Sequence, residues 1–407
     1  TVEASGLMAG APRMGEIMCE ITGMTPEQMA AQAQSQQPGS TAGADAANGA
    51  TDIMKGPLAD AFAKSSILTE LLDEFASVTD ITGYNYLTAR HVMEHELNPN
   101  RVILGTETLP SDLVRLWDIV KNNHHVIGDM TWTGWDYLGE AGSGVTYYDG
   151  RQGFMSNWPI SLSGMGDIDI IGNRRSVSYV REIVFGLRKA PFIAVEPVDH
   201  YGGTPSQTAW PWKDERISWT WRGFEGKPAV VNVYSDAEEV ELFLNGESLG
   251  RKPAGERNEF AARFETTYHP GELKAVCYRG GQAAECETLC TAGEQVHLHI
   301  DADRDTLCAD GADLSYIMIS LRDEHGLLNP QAVEEVTVTV EGAGVLQGMG
   351  NADVETGNRY DCNTWPTFEG CVLAVVRAGT QPGEITVKVS GGSEENEVAL
   401  SVAQKTS

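Results

Sequence analysis

The sequence has no run of about eighteen apolar residues, so it encodes no membrane-spanning helix. It begins at Thr1 without a Met and carries no charged-then-apolar secretory leader. Basic residues are scarce: 29 Lys and Arg stand against 58 Asp and Glu, for a formal charge of -29. Nucleic-acid binding neutralises phosphates with Lys and Arg, so this balance argues against a DNA or RNA partner and against a basic membrane-surface patch. A neutral or cationic small ligand fits better.

Cysteines are few and unpaired in pattern. The seven are an odd number scattered over the chain, which favours reduced thiols in a cytoplasmic protein over a disulfide framework. Cys286 and Cys290 lack a second pair at zinc-site spacing and read as ordinary strand residues. Asp301-x-Asp303-x-Asp305 opens like a calcium loop, but Thr306 stands where the turn glycine belongs and Ala312 where the bidentate Glu belongs. Gly342-Ala343-Gly344 lacks the third glycine of a dinucleotide loop, and His124-His125 reads as a loop pair. Neither a metal nor an organic cofactor is expected.

What is present suffices for two or three domains: 407 residues with 41% hydrophobic content. The pieces Val2 to Ala9 and Ile17 to Ile21 read as a strand and a helix start. From Ala31 to Thr51 the composition collapses to small and polar residues, the mark of a flexible insertion. Pro57 to Phe75 carries one apolar helical face (Leu58, Phe62, Leu68, Leu71, Leu72, Phe75), followed by a strand from Val78 to Tyr86. Arg101 to Thr108 is an apolar strand that delivers Glu107 near its C-terminal end. The spacing of Leu113, Leu116, Trp117 and Val120 predicts a helix over Pro110 to Lys121. A strand at Val126 to Trp132 and a helix at Ser176 to Leu187 come next. Alternating strands and helices of this kind imply a buried parallel sheet, either a (β/α) barrel or a doubly wound sheet, with functional side chains at the strand C-terminal ends.

The texture changes near Lys189. Short alternating runs (Trp219-x-Trp221, Val230 to Tyr234, Val240 to Leu244, Phe260 to Phe264, Leu273 to Cys277), with an Asn245-Gly246 hairpin turn, read as a β-sandwich. A second such module runs from Val296 to Val402, with Leu314 to Leu321, Val336 to Val340, Val372 to Val376 and Ile385 to Val389 as its clearer strands.

A carboxylate at one strand end and an indole, Trp132, at the next are what a sugar subsite needs, since pyranose C–H faces stack on aromatic rings. Trp135 is the better candidate for core packing. Three motifs in order then carry a resemblance: Asp80-Ile81-Thr82-Gly83-Tyr84-Asn85-Tyr86, Gly105-Thr106-Glu107-Thr108, and Gly128 through Glu140 with Trp132, Trp135 and Asp136. They resemble the second half of the catalytic barrel of glycoside hydrolase family 2, the β-galactosidases and β-glucuronidases. Residues 190 to 402 look like the two immunoglobulin-like domains that come after the barrel in its bacterial β-galactosidase branch. The resemblance implies a barrel half over 1–188, sandwiches over 189–292 and 293–407, and a carbohydrate substrate. It also implies Glu107 as nucleophile, Tyr86 as the phenol bonded to it, and Trp132, Asn85 and Asp136 as substrate-binding residues.

One family element is missing. The acid/base Glu of the family lies in an Asn-Glu pair on an earlier strand, whereas Asn258-Glu259 and Glu395-Asn396-Glu397 fall in the sandwich modules. Val2 to Ala9 would then be about the fifth barrel strand. The expectation is a C-terminal fragment or one subunit of a split enzyme, inactive alone, partnered by the missing barrel half and its preceding sandwich domains, and open to homo-oligomerisation. No Asn-x-Lys element comes after the nucleophile, which weakens a β-glucuronidase reading. A non-catalytic carbohydrate-binding or assembly module is the alternative from another class, with Trp210, Trp212, Trp219, Trp221 and Trp365 as its candidate residues.

Overall fold

The computed structural model describes residues 2–5, 10–29, 56–149, 158–207, 210 and 212–404. The insertion expected at 31–51 lies outside them. The N-terminal part is built on a four-stranded parallel sheet in sequential order: β1 (Val2–Ser5), β2 (Ile81–Asn85), β3 (Val102–Thr108) and β4 (Val126–Thr131). Helices α1 (Met14–Thr22), α2 (Gly56–Ala63), α3 (Ser66–Ser77), α4 (Thr88–Leu97), α5 (Leu113–Asn122) and α6 (Ser176–Val184) accompany it. Ile17, Phe62, Leu68, Leu72, Tyr84, Ile103, Ile119 and Val126 form the core between sheet and helices.

The single helix expected over Pro57 to Phe75 is two. Ser65 caps α3, its hydroxyl accepting from the Leu68 N–H at 3.3 Å, and Glu20 of α1 accepts from the Ser66 N–H at 2.9 Å. That break resets the helical phase: Ala59, Phe62, Ala63, Leu68, Leu72 and Ala76 are buried, while Leu58 and Phe75 face solvent. The expected strand from Val78 begins only at Ile81, and the last expected helix ends at Val184, leaving Leu187 exposed beyond a left-handed Gly186. Helix α4 is not among the elements the sequence pattern predicts, because the face it buries carries Arg90, His91 and Glu94 rather than a hydrophobic stripe.

Two all-β modules complete the chain. In the first, strands 247–253, 239–244, 272–279 and 282–290 form one sheet and 261–267, 228–234 and 192–195 another. One core, including Ile193, Val231, Val233, Leu242, Phe264 and Leu273, joins them. Asn245-Gly246 makes the expected two-residue hairpin, both residues at positive φ as the tight turn demands. Trp219 and Trp221 are buried, but their segment is not a strand; the Trp219 indole donates to the His269 carbonyl at 3.0 Å instead. The second module pairs a four-stranded sheet with a five-stranded one around Trp365, Ile317, Ile319, Val372, Val387 and Leu400.

Candidate active site

Glu107 is presented by an irregularity in the strand pairing. Tyr84 is opposite Gly105, yet the next pair is Asn85 with Glu107, so Thr106 is an extra residue that re-aims the Glu107 side chain. Two glycines make room for it. A Cβ on Gly83 would lie 2.5 Å from the Thr106 methyl, and one on Gly105 would lie 2.5 Å from Asp129 Oδ1.

With that register, the Thr106 hydroxyl donates to Asn85 Oδ1 at 2.7 Å, which turns the Asn85 amide N–H onto Glu107 Oε2 at 3.0 Å. Tyr86 sits at φ 54°, a backbone conformation rare for a bulky residue. Its N–H donates to the Glu107 carbonyl at 2.9 Å and its phenol donates to Glu107 Oε1. Both carboxylate oxygens are therefore held by side-chain donors. Burial first, then the Glu107 carboxylate, drives the Tyr86 phenol far above its ordinary pKa, so it remains a donor. Asn85, expected to touch substrate, orients the carboxylate.

Trp132 comes directly after β4, its N–H donating to the Thr108 carbonyl at 2.9 Å. The half-buried indole packs with Tyr86 against Leu109, Met165 and Trp210, and meets Tyr137 edge-on at 5.8 Å. Tyr137 in turn donates to Glu140. Burial and Glu140 raise the Tyr137 phenol, with a further contribution from Glu107, and Glu140 likewise contributes to the rise at Tyr86. Glu140 is thus a second carboxylate in electrostatic reach of the cluster, held at φ 43°. In the sequence it is only the last residue of the third motif, with no role assigned.

Asp136, expected at the substrate, is bonded at both carboxylate oxygens. It is 3% exposed, with one oxygen accepting from the Gly166 N–H at 2.7 Å and the other paired with Arg175 at 2.6 Å. It ties the loop after β4 to residues 166–175. Trp135, assigned to the core, is 52% exposed. Trp210 also belongs to this site: its indole N–H donates to the Tyr86 phenol oxygen at 2.6 Å across 124 positions of sequence, a distance no local signal spans.

On β4, beside β3, burial raises the Asp129 carboxyl to about 6, against the hydrogen bond it accepts from the Thr108 hydroxyl at 3.0 Å. Its Oδ1 is shut off from solvent without a partner. A carboxyl raised on folding costs nothing below its unfolded value and opposes folding increasingly as pH climbs toward 6. Discounting for partial solvation, the penalty is about 2 kcal/mol. Asp129→Asn is expected to abolish that fall in stability between pH 4 and 6, read from urea unfolding at each pH; an unchanged pH slope would refute the assignment.

Among the described residues, no group of three or more His, Cys, Asp or Glu is disposed to hold a metal, and no helix is long and apolar enough to cross a membrane.

A carboxylate gripped at both oxygens stands on the end of one parallel strand, beside an indole on the next. Residues 298–398 match the profile described as Glycoside hydrolase family 2 C-terminal domain 5, and residues 226–285 match a Domain of unknown function (DUF4982). Together with the relatives that follow, these matches support a glycoside hydrolase family 2 member. It is 29% identical over 276 residues to Beta-galactosidase BoGH2A of Bacteroides ovatus, covering 68% of this chain and 28% of that protein. A relative from Formosa agariphila that carries a beta-glucuronidase name is 26% identical over 277 residues, covering 67% of this chain and 24% of that one. A solved glycosyl hydrolase family 2 member from Bacteroides cellulosilyticus superposes with a TM-score of 0.75 at 33% identity, over 82% of this chain and 44% of that one. The chain thus spans between about a quarter and under half the length of these relatives.

Proposed function

We propose that this chain carries the nucleophile half of a retaining exo-glycosidase acting on terminal β-galactosides. The observation that carries the reading is Glu107, held through Tyr86 and Asn85 at the end of β3. In the first step Glu107 attacks the anomeric carbon as the bond to the leaving oxygen breaks, and a second carboxylic acid protonates that oxygen. Water, deprotonated by the same second group, then displaces Glu107 and releases the sugar. Tyr86 and Asn85 keep the nucleophile ionised and aimed, while Trp132 offers its face to the sugar.

The second carboxyl group is assigned to a part of the barrel outside residues 1–407. The four parallel strands in sequential order fit the fifth to eighth strands of a barrel, with 1–188 as that half and 189–292 and 293–407 as immunoglobulin-like sandwiches. A β-glucuronidase is the second reading, favoured by the name of the Formosa agariphila relative. The binding-module reading has less support, because Trp210, Trp219, Trp221 and Trp365 are buried and Trp212 alone of its five candidates is half-buried.

The test uses chromogenic β-galactoside and β-glucuronide side by side. The expected outcome is no turnover by the isolated chain and turnover of the galactoside once the chain is joined to a complete barrel. Turnover by the isolated chain would overturn the divided site. Preference for the glucuronide would overturn the sugar assignment, and a completed barrel inert to both would overturn the enzymatic reading.

A further inference from the structure

We infer that Trp210, on the segment leading into the first β module, is a positioning residue whose indole N–H fixes the Tyr86 hydroxyl and, through it, Glu107. Its kinetic consequence rests on Glu107 being the nucleophile; its geometric content does not.

A phenol has one hydrogen to give and lone pairs to receive with, and unrestrained it rotates between partners. An indole N–H is a donor only. Placed 2.6 Å from the Tyr86 oxygen, it can occupy only an acceptor position there, which leaves the phenol hydrogen to Glu107. The result is a one-directional chain from Trp210 N–H through Tyr86 O–H to the carboxylate. Each bond in such a chain polarises the next, so Tyr86 becomes a better donor than it would be alone.

The surroundings hold the indole in place. Trp210 is 6% exposed, packs with Leu109 and Met165, and lies 6.2 Å from the Tyr86 ring at a 51° tilt. Its φ of 60° joins that of Tyr86 at 54°, so both ends of this hydrogen bond rest on residues in the left-handed region. Backbone strain of that kind persists where the surrounding structure enforces a particular side-chain placement. Residues downstream of α6 therefore help to set the nucleophile and are more than a scaffold beside it.

The first test needs no turnover. In the chain labelled with 15N at tryptophan, the Trp210 indole resonance is identified by its disappearance in Trp210→Phe. It is expected to shift in Tyr86→Phe and to track a carboxyl titration that is absent in Glu107→Gln. A Trp210 resonance indifferent to Tyr86→Phe would overturn the inference. In the polypeptide with its complete barrel, Trp210→Phe is expected to lower kcat/KM roughly 3- to 10-fold, the worth of one hydrogen bond. The acid limb of the pH profile should move upward, and nothing further should be lost in a Tyr86→Phe background. An equal loss in both backgrounds with an unmoved acid limb would mark simple packing and overturn the inference. A completed barrel without glycosidase turnover would instead remove the proposed function, leaving the resonance test to decide this point.

Discussion

Glu107→Gln, in the polypeptide carrying a complete barrel, is expected to reduce kcat on a chromogenic β-galactoside on the order of 10⁴-fold or more, the scale seen when a nucleophile is removed from a concerted site. Two effects reinforce each other. The amide has no negative charge with which to attack or to balance the oxocarbenium-like transition state. It also presents one acceptor where the carboxylate presented two, while Tyr86 and Asn85 both still arrive as donors. One of them must then face an N–H, which costs about 1–3 kcal/mol locally. The check combines steady-state kinetics with mass spectrometry after exposure to a slowly hydrolysed fluoro-galactoside. The wild type should gain the mass of one sugar on the peptide containing Glu107, and the variant should gain none. Retention of a tenth of the wild-type rate would remove Glu107 from its role.

How much of this site could be read in advance depended on the length scale of each contact. Glu107, Tyr86 and Trp132 stood out because strand-end position is a local property and their motifs are contiguous. The bond from Asn85 to Glu107 was not legible, since the turn of Asn85 toward Glu107 results from the extra residue at Thr106, and alternation alone does not reveal a bulge. Trp135 and Asp136 exchanged their expected places: hydrophobicity assigns the indole to the interior, but Arg175, 39 positions away, makes the carboxylate the buried partner. Trp210, a candidate only for the binding module, could not be placed beside Tyr86 for the same reason at greater range. The fold obeyed this pattern too. Sheet strands and hairpins with alternating residues were legible, whereas α4 was not, because helical periodicity is sought in apolar side chains and its inner face is ionic.

That ionic face supplies the second large effect: Glu94→Gln is expected to destabilise the N-terminal part by about 3–5 kcal/mol, measured by urea unfolding. Glu94 and Arg90 are 0% and 1% exposed and directly paired. Glu94 also accepts from the Tyr84 phenol at 2.9 Å and from Arg101 at 2.7 Å, while Arg90 donates to the Ala63 carbonyl at 3.1 Å and the Thr69 hydroxyl at 3.0 Å. The network thereby fastens α2, α3 and α4 to β2 beneath the strand end that carries Asn85 and Tyr86. Removing the carboxylate charge strands a guanidinium where water cannot reach it, which is the costly half of breaking a buried pair. Replacing both partners with apolar residues, Arg90→Met with Glu94→Leu, should cost markedly less than Glu94→Gln alone. The pH dependence carries the same signature. Burial pushes the Glu94 carboxyl up, but Arg90, Tyr84 and Arg101 outweigh it and hold the folded value below the ordinary 4.5. A carboxyl lowered on folding contributes stability that is present above 4.5 and lost as pH falls through the folded value. The wild type should therefore weaken steeply on acidification, and Glu94→Gln should show a shallower acid fall from its lower starting stability. Equal acid slopes in the two proteins, or a double variant as unstable as the single one, would mean that the buried pair does not hold this part of the fold together.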